Sequence, residues 1–383
     1  MVGSKQLVLD AIRHNPVHKV PMMYRGDEVI NGKLIDYFGI GESIFWDKEL
    51  IECLGADFFS GGASLNEYYT YIPKYVGPEF DCEHDKLYFF PFGIKSRAVY
   101  DEQGRFFEFD FFQDPPLEFA TTVSDIAAHR FPQPDWFDFD HYTTMITREA
   151  PSGDAKAAAE YVSTSDIQPS EFHFTCTYFF NTIFILSSYL RRMDKLLIDI
   201  ASEPKLAHAL IDRVGETCVE LSRLNLERIG DRIEIFGMWD DFACQNNLFM
   251  DPESWREFFK PFYRRIISDA KRYDLIVYFH CCGDLYDVIP DLIEIGVDIL
   301  DPIQTSARRM KIEDLKREFG KDLCFHGGID LQQLLAQGTA QAVREEAFRI
   351  KELFCGQGGM LLGPSHLVTR DVPIENVLAM YQE

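Results

Sequence analysis

The chain has 383 residues, with 38 Lys or Arg against 62 Asp or Glu, for a formal charge of −24. That balance argues against a nucleic-acid partner, which needs a basic face to displace counterions from phosphate, and against docking on an anionic membrane surface. Hydrophobic residues at 46% and charged ones at 26% are ordinary for a globular protein and exclude a disordered chain.

From the start, Met1–Asn15 carries charges throughout and lacks the apolar core of a secretory signal. The longest apolar stretch, around Tyr178–Leu190, is interrupted by Asn181, Ser187 and Ser188 and is too short to span a bilayer. Nine cysteines, scattered and odd in number, indicate a reducing compartment, so a cytoplasmic protein is expected.

Short β-branched or aromatic runs alternate with amphipathic helical stretches, the pattern of βαβ units. The predicted strands are Val20–Arg25, Asp57–Gly61, Glu171–Tyr178, Arg232–Gly237, Leu275–Cys281, Asp298–Pro302, Leu323–Gly327 and Met360–Gly363. Asp251 caps a predicted helix that opens with Pro252, and Pro261 should kink it. Asp284 starts another that stops at Gly296, and Lys311–Phe319, Thr339–Phe354 and Ile374–Tyr381 read the same way. Eight strands with intervening helices predict one α/β domain over residues 1–383, a (β/α)₈ TIM-type barrel.

The second connection, residues 64–170, is longer than one helix requires. Lys86–Tyr100 and Arg105–Phe112 are strand-like and flank a turn at Asp101–Gly104. A β-hairpin lid inserted after strand two is therefore expected, followed by a loop at Phe131–Tyr142.

Chemistry in such barrels gathers where strands end at the C-terminal face. Those positions offer Arg25, Ser60, Thr175, Thr177, Tyr178, Asp240, Asp241, His280, Cys282, Asp284, Asp301, Gln304, His326, Ser365 and His366. Side chains alternate along a strand, so His280 and Cys282 share a face while Cys281 points away. Imidazole and thiolate side by side suit zinc. The same residues would also serve as a core histidine with two small buried cysteines. His366 offers a third ligand or a loop cap. His326 precedes Gly327 and Gly328, which would either let a substrate approach the backbone or form a tight turn. Asp240 and Asp241 suit proton handling or the orientation of a ligand histidine, and equally a solvated turn.

Taken together these residues resemble the uroporphyrinogen decarboxylase-like superfamily, closer to its cobamide-dependent methyltransferase branch. The resemblance rests on Val8–Arg13 with Val20-Pro21, Phe279–Asp284, Gly296–Pro302, Leu315–Gly320, Phe325–Asp330, Gly363–His366 and Pro373–Leu378. It implies a (β/α)₈ barrel with the pocket at its mouth. The methyltransferase branch holds zinc through His-x-Cys and a cysteine on the last strand. His280 and Cys282 match the first two, while the third position carries His366 or Ser365. The decarboxylase branch uses arginines near the first strand and an aspartate after the second; Arg25 matches one arginine, and Ser60–Ala63 has no aspartate.

The resemblance thus implies a zinc-assisted methyltransferase moving a methyl group between a small molecule, such as a methoxylated aromatic, and cobalt. His280, Cys282 and His366 are the expected ligands. Asp240, Asp241 and Tyr178 are the expected catalytic groups, and Arg25, His326 and Ser365 the expected substrate contacts. The barrel and its insertion use the whole sequence, so methylcobalamin or cob(I)alamin is expected from a separate corrinoid protein. A homodimer is a candidate assembly. The alternatives are a metal-free decarboxylase of the uroporphyrinogen type and a non-catalytic binding protein on the same fold.

Overall fold

The computed structural model describes residues 4–41, 46–59, 69–78, 87–89, 91–100, 106–145, 160–167, 175–177 and 181–382. Eight parallel strands carry the architecture: β1 (Met23–Tyr24), β2 (Phe58–Phe59), β3 (Thr175–Thr177), β4 (Ile235–Trp239), β5 (Ile276–His280), β6 (Ile299–Ile303), β7 (Cys324–Ile329) and β8 (Met360–Pro364). They correspond one to one with the strands expected from sequence. Strands β8 to β3 pair in descending order in one sheet. β1 pairs with β2, and a parallel bridge between Met22 and Leu362 links that pair to β8. The eight strands therefore run β2-β1-β8-β7-β6-β5-β4-β3.

Strands β6 to β8 are buried along their whole length. That explains their near-continuous apolar sequences, because helices cover the outer face while side chains fill the inner one. Part of the outer cover is an aromatic cluster: Phe242, Trp255, Tyr263 and Phe279 interlock with ring centroids 5.5–6.3 Å apart. The predicted kink is a full break. One helix ends at Phe258 and the next runs Lys260–Lys271 with Pro261 in its first turn, where a missing N–H costs nothing. Gly296, with φ +103°, closes the helix Ile289–Ile295, and Asp284 stands before a short 3₁₀ turn rather than at the helix cap itself. Among the described residues no helix is long and apolar enough to cross a membrane.

The insertion departs from expectation in two ways. The first hairpin arm is two strands, Leu87–Phe89 and Lys95–Tyr100, separated by a turn that holds Phe92 and Gly93; Gly93 adopts φ +77°. Phe92 is fully buried and packs edge-on against Phe131 at 6.3 Å, so burial of that ring interrupts the arm. Lys95–Tyr100 pairs antiparallel with Phe106–Gln113 as a hairpin should. Its tip, Asp101–Gly104, lies outside the described residues. The loop expected at Phe131–Tyr142 is instead a 3₁₀ turn, Pro134–Trp136, followed by strand Phe137–Met145. That strand joins Tyr69–Tyr75 and Glu160–Ser163, extending the main sheet beyond β3. Tyr75 packs on Trp136 and Phe137 at 6.4 and 5.7 Å, so aromatic burial holds this edge together.

Candidate metal centre

β5 ends on His280, and the chain then turns sharply through Gly283 at φ +105°. A Cβ on Gly283 would stand 2.6 Å from the Cys244 carbonyl oxygen, so only glycine lets the backbone pass here. This turn sets Cys282 beside His280, with Sγ 3.7 Å from Nε2. His366 arrives just past the end of β8, its ring centroid 5.9 Å from that of His280. One ligand atom from each of His280, Cys282 and His366 lies within 4.8 Å of the others. Ligands about 2.1 and 2.3 Å from a tetrahedral zinc stand about 3.6 Å apart. The His280–Cys282 separation matches that value. Cys281 turns into the apolar core and is fully buried, as alternation requires.

Behind His280 sits a residue that sequence reasoning placed at a strand end without a role. Asp301 lies opposite His280 in the parallel register of β5 and β6, and it is completely buried. Its Oδ2 pairs with His280 Nδ1, and its Oδ1 pairs with Nδ1 of His326 at 2.6 Å. Arg25 Nη1 approaches Oδ2 at 3.8 Å. Burial alone would raise the Asp301 carboxyl, but His326 and His280 hold it well below the usual carboxylate range. Burial also opposes a charged His280, yet Asp301 and then Cys282 overcome it and lift that imidazole to about 10. Burial first, then the nearby charges of Arg25 and His280, push His366 down to about 3, leaving a neutral ring with a lone pair to donate.

The two adjacent aspartates do different jobs. Asp241 accepts the Cys282 N–H at 2.8 Å through Oδ1, which lies 4.0 Å from His280 Nε2; its side chain is 35% exposed. Asp240 is fully buried and caps the helix Phe184–Arg191. It accepts the N–H groups of Ile183, Phe184 and Ile185 at 2.7–2.8 Å, together with the Tyr263 hydroxyl. Burial raises Asp240 to about 6, and those four donors keep it from rising further. Asp240, expected as a catalytic group, thus has an anchoring role in the structure. A carboxylate with four buried donors on it is part of the scaffold.

The Ser365 hydroxyl oxygen accepts the Leu331 N–H at 3.1 Å, and of the two residues expected at the third position His366 is the one grouped with His280 and Cys282. Gly327 and Gly328 lie inside β7 at φ +102° and +96°. A Cβ on Gly327 would meet Ile303 N and Pro364 O at 3.3 and 3.4 Å, so that glycine serves strand packing rather than substrate approach. Arg25 is 5% exposed, and its Nε and Nη1 have no hydrogen-bond partner. Tyr178 and Ser60 lie outside the described residues.

A family model described as uroporphyrinogen decarboxylase (URO-D) matches residues 171–383, the part of the chain that holds β3 to β8. Among curated proteins, the uroporphyrinogen decarboxylase of Chlorobium phaeobacteroides is 26% identical over 183 residues, covering 46% of this chain and 47% of that protein. That of Chlorobaculum tepidum is 22% identical over 185 residues, covering 47% and 49%. The chain spans about half the length of the curated relatives it matches. Among solved structures, a methyltransferase from Methanosarcina mazei superposes with a TM-score of 0.59 at 16% identity, over 99% of this chain and 97% of that one. This likeness is one of fold.

Proposed function

This chain belongs to the uroporphyrinogen decarboxylase family, and from that premise we propose that it is a zinc-assisted methyltransferase. It would move a methyl group between a small methylated compound and a separate corrinoid protein, on a closed (β/α)₈ barrel with the inserted hairpin as lid. The observation that carries the reading is the His280–Cys282–His366 cluster: its first two members stand at the separation of two zinc ligands, and an atom of His366 lies within 4.8 Å of both. A thiolate-bearing cluster is a poor investment for a decarboxylase that needs no metal.

His280, Cys282 and His366 would hold the ion. When bound, zinc would act as a Lewis acid on the heteroatom that carries the methyl group. The remaining work falls to the protein. Arg25, with buried and unpartnered N–H groups, would anchor an anionic group of the substrate. Asp241, partly exposed beside Cys282, would carry the proton that the departing heteroatom needs. In the demethylating direction the C–heteroatom bond would break with its electron pair left on the heteroatom, and the methyl group would pass to the corrinoid protein, which enters as the nucleophilic co-substrate.

A second reading has its own support. The same Arg25, whose Nε and Nη1 make no hydrogen bond, would suit a substrate carboxylate, as a decarboxylase requires.

Metal analysis tests the proposal. Wild-type protein should hold close to one zinc per chain, and Cys281→Ser should hold the same amount because Cys281 faces the core. Equal zinc loss in Cys281→Ser and Cys282→Ser would show that the cluster is wrongly drawn.

A further inference from the structure

We propose that Asp301 is the positioning residue of this metal centre, fixing His280 as its Nδ1–H tautomer so that Nε2 is the nitrogen offered to the metal. The inference rests on the zinc reading above and goes past it, because it assigns a role to a residue that is not itself a ligand. It starts from the register. His280 and Asp301 are opposite neighbours on parallel strands, so their side chains leave the sheet on the same face. Both carboxylate oxygens are in use, one on Nδ1 of His280 and the other on Nδ1 of His326, and no surface of Asp301 reaches solvent.

An ionised carboxylate only accepts hydrogen bonds. Each ring must therefore turn an Nδ1–H toward it, so Nε2 of His280 is the nitrogen that gives up its proton when a metal binds. Independent geometry agrees, since Nε2 is the atom that faces Cys282 Sγ at 3.7 Å. The opposite tautomer would set an Nδ1 lone pair against a buried anion, an arrangement costly in a site without water. The carboxylate also limits rotation of the imidazole about its Cβ–Cγ bond. Cys282, beyond the strand end on its Gly283 turn, then meets a ring already facing it. Arg25, 3.8 Å from the same carboxylate, supplies the compensating positive charge.

Losing such a carboxylate partner typically weakens metal binding by about 10–100-fold. The test is a zinc titration of wild type and Asp301→Asn against a chromophoric chelator, with cobalt(II) absorption recorded on both. Asp301→Asn should bind zinc about 10–100-fold more weakly. Its cobalt form should keep the thiolate charge-transfer band, since Cys282 is intact, while its d–d bands shift as the His280 ring turns. A folded Asp301→Asn with wild-type zinc affinity and an unchanged cobalt spectrum would overturn the proposal.

Should Asp301→Asn fail to fold with Arg25 left uncompensated, ¹⁵N-histidine spectra of zinc-loaded wild type decide the matter. His280 bound through Nε2 with a protonated Nδ1 supports the assignment; His280 bound through Nδ1 overturns it. Wild type that takes up no zinc overturns both this inference and the proposed function. Zinc-binding wild type with an indifferent Asp301→Asn overturns this inference alone.

Discussion

Cys282→Ala is expected to fold normally, lose most of its zinc and transfer methyl groups at least about 10³-fold more slowly. Cys282 sits past the end of β5, and its thiol faces His280 rather than the packed core, so truncation leaves the apolar cover intact. The catalytic loss follows from the several kcal/mol that a bound zinc lends to a developing anion, with each 1.4 kcal/mol worth about tenfold in rate. His280→Ala should behave similarly but also lose stability, by about 1–3 kcal/mol, because it removes a hydrogen-bond partner from the buried Asp301. Metal analysis, thermal melting and turnover on the same preparations separate these effects. Full activity in metal-free Cys282→Ala would end the metal reading.

Asp240→Ala should damage the fold rather than the chemistry, lowering stability by about 3–5 kcal/mol. It strips a buried acceptor from three backbone N–H groups and the Tyr263 hydroxyl at once, and the first turn of the helix Phe184–Arg191 has no other cap. Urea unfolding measures the loss, and a change within 1 kcal/mol would contradict the anchoring role. The pH dependence has a definite sign. Folding raises this carboxyl from 3.8 to about 6, so the native state keeps a proton that the unfolded chain has already released. Stability contributed by Asp240 therefore falls as pH rises from about 4 to 6, and the margin of wild type over Asp240→Asn widens as pH drops through that window.

Strands β4 to β8 were readable because they are almost wholly buried and so appear as compact apolar runs. Tyr69–Tyr75 and Phe137–Met145 were missed for the converse reason. Their sequences mix Tyr, Thr, Lys, Asp and Phe in an antiparallel extension of the sheet, and the second follows a Pro-rich turn that reads as loop. Within the site, the His-x-Cys spacing was visible because strand alternation is a local rule. Asp301 was visible only as a strand end. Which histidines share it depends on the register among β5, β6 and β7, and register is a property of pairing rather than of any one segment. The anchoring contacts of Asp240 were hidden for a related reason: its three backbone donors, Ile183, Phe184 and Ile185, precede it by more than fifty residues, and an Asp-Asp pair carries no trace of that contact.

Methylcobalamin formation tests the central claim most directly. The protein is incubated with methoxylated aromatic and related methylated compounds, with and without cob(I)alamin or reduced corrinoid proteins, while cobalamin absorbance and carbon dioxide are followed together. The zinc-assisted methyltransferase reading predicts a methylcobalamin spectrum that requires both a methyl donor and zinc-loaded protein, with no carbon dioxide released. Coproporphyrinogen and carbon dioxide formed from uroporphyrinogen, with no methylcobalamin from any donor, would contradict it and establish the decarboxylase reading instead.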